Sequence, residues 1–186
     1  MRGLSKVLIT LGFLGLISVP AGLEAQMSQT GEDIWVNARV GSGWYGEHDG
    51  VTPNPDRARA LHAQAEELYS QPKQWKKAAR LLEQSAQLRE VNDPDIYTCL
   101  MYAGRLRAAT NDLPNAREDL ENAAAHALSR GAVMEAAHAL IDAAHVASSA
   151  KDIPAARELV RRASMLAESP LLSAEQKAEI NARLKA

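Results

Sequence analysis

A single cysteine, Cys99, is all that the 186 residues hold. Without a second thiol there is no internal disulfide, so packing must hold the fold together. Cys99 stands in YTCLMYAG, a helical context. It reads as a small core residue rather than a reactive or intermolecular thiol, because free cysteine is among the most buried residue types. A surplus of basic charge is missing too: 21 Lys and Arg face 23 Asp and Glu. Binding to a nucleic-acid backbone rests on clustered Lys and Arg, so no nucleic-acid partner is expected. The catalytic signatures are absent as well. There is no Gly-rich phosphate loop after a strand, no Cys-x-x-Cys, no His-Glu-x-x-His and no Gly-x-Ser-x-Gly. The expectation is a protein that is not an enzyme and carries no cofactor and no metal.

Long apolar runs are also lacking. The longest, VLITLGFLGLISV, has thirteen residues, short of the roughly 20 that span a bilayer. It follows MRGLSK, which carries two positive charges and no acid, and precedes PAGLEA, which ends at Ala25. That order predicts a secretory signal peptide over residues 1–25, with Leu23 and Ala25 at the recognition positions. An uncleaved anchor and a transit peptide are the alternatives. Without Arg2, Lys6 and Glu24 the balance becomes 19 basic to 22 acidic side chains. A periplasmic or secreted chain of about 160 residues fits one domain, with no membrane span after cleavage.

Residues 26–57 differ in kind from the rest. GEDIWVNARVGSGWYGEHDG holds two of the three tryptophans and all five glycines of this region, with no helical stripe. Either it is a flexible leader, or it is an arm that docks Trp35, Trp44 or Tyr45 on the rest of the chain or on a partner.

Beyond Asn54 the pattern is helix after helix. Asn54-Pro55-Asp56 and Asp93-Pro94-Asp95 place a capping side chain before a Pro, with an acid in the first turn. Gly131 suits the left-handed position past a helix end, and Ser173 with Gln176 has capping-box spacing. DLPNAREDLENA at residues 112–123 nearly repeats as DIPAARELVRRA at residues 152–163. Leu113, Ala116, Leu120 and Ala123 match Ile153, Ala156, Val160 and Ala163, and upstream Trp75, Ala78, Leu82 and Ser85 form the same stripe. The copies start 38 and 40 residues apart. Another striped helix precedes each copy: Leu61, Gln64, Ala65 and Leu68; then Leu100, Ala103 and Gly104; then Leu140, Ala143, Ala144 and Ala147. The repeating unit is a helix pair that must stack on a neighbour to bury its apolar face, and Leu82, Leu120 and Val160 are expected in the core.

Leu100-x-x-Ala103-Gly104 followed by Ala116-x-x-x-Leu120-x-x-Ala123 resembles the tetratricopeptide repeat family, and Leu140-x-x-Ala143-Ala144 with Ala156-x-x-x-Val160-x-x-Ala163 is similar. The likeness spans about residues 58–165. It implies an all-α fold: a right-handed α-solenoid of about three helix-turn-helix repeats over 58–172, with residues 173–186 as a C-terminal capping helix. It also implies a concave groove lined by the first helix of each pair. On this chain those positions are Arg59, His62, Glu66 and Tyr69; then Thr98, Met101, Arg105 and Ala108; then His138, Ile141, His145 and Ser148. Three of the five histidines fall there. The Lys and Asn pattern by which some relatives clamp a carboxylate is missing, though Arg105 could receive an acid.

His138, Asp142 and His145 are also neighbours on a helix face. The two histidines stand about 10 Å apart along the axis, which strains a single tetrahedral metal site. The expectation is therefore an exported adaptor that binds a protein or peptide in the groove. The alternative is a structural or assembly subunit of an envelope complex. The last segment, SAEQKAEINARLKA, is polar on one face, which favours a capped array and hence the adaptor.

Overall fold

The structure, a computed structural model, describes residues 51–185. The expected signal peptide, the arm residues Trp35, Trp44 and Tyr45, and Ala186 lie outside the described residues. The rest is all-helical, with no strand among the described residues. Seven α-helices follow one another: α1 (Pro55–Glu66), α2 (Trp75–Gln87), α3 (Asp95–Ala109), α4 (Leu113–Ser129), α5 (Val133–Ser149), α6 (Ile153–Ala167) and α7 (Ala174–Arg183). A short 3-10 turn, Pro72–Gln74, leads into α2. None of the described helices is long and apolar enough to cross a membrane.

Local chemistry sets these boundaries. The Asn54 side chain accepts the Arg57 N–H at 3.0 Å to open α1, and Asp93 accepts the Asp95 N–H at 2.9 Å before α3. Ser173 and Gln176 form a reciprocal capping box at α7. The two copies of the dodecapeptide begin differently. Asp152 caps α6 by accepting the Ala155 N–H at 3.2 Å, whereas the Asp112 carboxylate takes the Asn115 side-chain amide instead.

Three turns are built alike. Asn111, Gly131 and Lys151 have φ of 61°, 72° and 62°. After each, the next N–H reaches five residues back: Asp112 to Arg107 at 2.9 Å, Ala132 to Ala127 at 2.8 Å, and Asp152 to Ala147 at 2.9 Å. This is the Schellman arrangement, which satisfies the last carbonyls of a helix and reverses the chain in two residues.

Each helix packs mainly on the next one along the chain. Leu82, Ile96, Leu100, Leu120, Leu140 and Ile180 are fully buried along one continuous core. The α3–α4 crossing is tight: a Cβ on Gly104 would lie 2.7 Å from Leu120 Cγ and 3.0 Å from the Ala116 carbonyl oxygen. Arg107 ties three helices together, reaching Asp119 of α4 at 2.8 Å and Glu83 of α2 at 2.7 Å.

One core expectation is corrected. Val160 is 40% exposed and Ile153 47%, whereas Leu120, the counterpart of Val160, is 1% exposed. Leu159, Ala163 and Leu166 carry the buried face of α6 instead. The reason is the neighbour: α4 lies against both α3 and α5, while α6 has α5 on one side and little contact with the ten-residue α7 on the other.

Candidate functional site: the row of alternate helices and the cleft at its end

The helices α1, α3, α5 and α7 are joined by side chains in chain order. His62 Nδ1 lies 3.4 Å from the Cys99 sulfur, and its Nε2 lies 3.5 Å from Glu66. Cys99 is buried, and burial raises its pKa, so it is held as the thiol. The rings of Tyr69 and Tyr102 stack with centroids 5.7 Å apart. Burial, with Glu66 adding to it, pushes the Tyr69 phenol up to about 12. Tyr97 donates to the Glu135 carbonyl at 3.2 Å. Arg105 grips one oxygen of Asp142 through Nε and Nη2 at 2.9 and 2.7 Å, and Arg183 takes the other oxygen at 2.6 Å.

The structure thus sorts the residues expected in the groove. Arg59 is exposed and paired with Asp56 one turn back. Glu66, Arg105, His145 and Ser148 are exposed; His62, Tyr69, Thr98, Ala108 and His138 are half-buried. Met101 and Ile141 lie beneath the surface, buried among the packed helices. Tyr102, one position past Met101, is the exposed residue there. Each residue turns about 100° on a helix, so a register error of one position exchanges a surface residue for a core residue. Nothing in the stripe distinguished the two. The signal available was the second tyrosine, which can stack on Tyr69.

His138 sits under α7. Its Nε2 lies 3.3 Å from a Glu179 oxygen, but the geometry is not that of a hydrogen bond, and the nitrogen has no hydrogen-bond partner among the described residues. Burial, then Arg183, lowers its pKa, so it is neutral at pH 7. Asp142 is occupied by two arginines. Among the described residues no group of three or more His, Cys, Asp and Glu is placed to hold a metal ion.

The row ends in a cleft of about 370 Å³. Ile141 and Ala144 of α5, Ile153, Ala156 and Val160 of α6, and Leu184 past α7 form its apolar lining. His145, Arg157 and Arg183 line it as well, and among the described residues no acidic side chain does. Of the groove positions read from the sequence, Ile141, His145 and Ser148 meet here. The exposed side of α6 was missed, because its stripe reads as core. Compared with family models, curated proteins and solved structures, the chain matches none.

Proposed function

We propose that the chain is an exported adaptor, a right-handed α-solenoid of about three tetratricopeptide-like helix pairs capped by α7, which binds a protein or peptide along the row of first helices. The matched stripes and the three equivalent turns support the repeat reading. The observation that carries the function is the pair Tyr102 and Arg105. Tyr102 is held by its stack on Tyr69 and Arg105 by Asp142, yet both face solvent. Rigid, exposed Tyr and Arg supply contact area at low entropic cost, as binding hot spots do.

The test is affinity capture from the native cell envelope with the mature protein and with a Tyr102→Ala, Arg105→Ala variant, partners being identified by mass spectrometry. A partner retained by the wild type and lost by the variant is the expected result. Equal capture by both would move the site off this row. Self-association with no other protein retained would favour the structural-subunit reading.

A further inference from the structure

We infer that the cleft between α5, α6 and the end of α7 receives a short partner segment that brings apolar side chains and a carboxylate. The inference rests on reading the chain as a peptide-binding array of helix pairs, and it names the anchoring site and the partner's chemistry. The chain supplies its own template. Ile153, Ala156 and Val160 on α6 correspond to Leu113, Ala116 and Leu120 on α4. On α4 that face is covered, with Ala116 and Leu120 buried; on α6 the same face opens to solvent. What covers α4 is its neighbours α3 and α5, of 15 and 17 residues; α7 offers ten and little contact. The volume left, about 370 Å³, lies within the range of roughly 300–1,000 Å³ usual for ligand sites.

Charge identifies the rest of the occupant. Arg157 is the counterpart of Arg117. Arg117 donates to Asp152, an acid in the turn just after α5, at 2.8 Å. Arg157 has no hydrogen-bond or ion-pair partner among the described residues. Asp142 on α5 is already shared by Arg105 and Arg183. With His145 and Arg183 also at the cleft and no acidic side chain lining it among the described residues, a segment entering there completes the template when its apolar residues lie on Val160 and Ile153 and its carboxylate meets Arg157. A second copy stacked head to tail through α1 does not meet these terms, because α1 exposes no large apolar side chain.

The experiment selects a displayed library of random twelve-residue peptides on the immobilised mature chain, with counter-selection on Val160→Asp. Enrichment of sequences with apolar residues at helical spacing and an acid is expected. The best peptide, fluorescently labelled, should bind the wild type about tenfold more tightly than its twin with Lys in place of the acid. Arg157→Glu should reverse that preference. Circular dichroism confirms that both variants remain helical. No enrichment over the counter-selection, enrichment of basic peptides, or indifference to Arg157→Glu overturns the inference. So does wild-type self-association on sedimentation that Val160→Asp disperses, which would give the cleft to a second copy. If the envelope partner depends on Tyr102 and Arg105 while Val160→Asp leaves its capture intact, the adaptor reading stands and the cleft proposal falls.

Discussion

Gly104 is ordinarily a poor choice for the middle of a helix, costing about 0.5–1 kcal/mol relative to Ala. Here a single added carbon meets Leu120 Cγ, and Leu120 is buried with nowhere to turn. Gly104→Ala is therefore expected to destabilise the fold despite its better propensity, by about 1–3 kcal/mol as in other overpacked cores. Urea denaturation followed by circular dichroism measures it, and a variant as stable as wild type would show that the crossing can relax. Asp119 presents a different conflict. Burial raises its pKa from 3.8 to about 7, with Glu83 and Glu118 adding to the rise and Arg107 opposing it. A carboxyl whose folded pKa lies above its unfolded one holds its proton longer in the folded state. Its contribution to stability thus falls as pH rises between about 3.8 and 7. Asp119→Asn should remove that slope. Urea midpoints at a series of pH values for both proteins give the comparison, and an unchanged slope would assign it to other groups.

At the scale of elements, the turns carry a measurable strain. Asn111, Gly131 and Lys151 occupy equivalent left-handed positions, yet only one is glycine. A residue with a Cβ pays roughly 1–2 kcal/mol there, Asn less because its short side chain bonds locally. Lys151→Gly should raise stability by about 1 kcal/mol, and Asn111→Gly by less. Thermal melts of the two variants rank them, and the reverse order would refute the argument. Helix content, the Asn54–Pro55 start, the Gly131 turn and the Ser173–Gln176 box were legible in the sequence because each depends on a few adjacent residues, whereas α3 opens with Pro94 as its N-cap, which makes no side-chain capping bond. The Asn111 and Lys151 turns were less legible, since their side chains do not announce positive φ. Val160 misled for another reason. Its stripe records which face resembles α4, but burial depends on the neighbour that arrives, and α7 arrives short. Tyr102 and Met101 show the same limit at one-residue resolution. The exposure of Arg105 on α3 and of His145 on α5 was legible, because neither polar residue belongs to the apolar stripe of its helix.

Across the described residues as a whole, the row α1, α3, α5 and α7 is tied by few side chains compared with the packing between consecutive helices. Asp142 of α5 joins Arg105 of α3 to Arg183 of α7. Asp142→Asn should loosen α7 while leaving α1 unaffected. Amide hydrogen exchange is expected to show faster exchange in α7 and unchanged rates in α1, with the slowest amides of both proteins in α4 and α5. Uniform acceleration along the chain would mean that the array opens only as one unit.

Packing of each helix chiefly on its successor also has a mechanical consequence. Force applied across the described helices loads the contacts one after another, with no sheet among the described residues and no internal disulfide to share it. Such a molecule should lengthen under tension in helix-sized steps, yielding first near α7, where the least surface is shared. Released, it should rebuild from any surviving helix contact, because each described helix meets its main partner within a few tens of residues of chain. An optical-trap extension curve would show the steps.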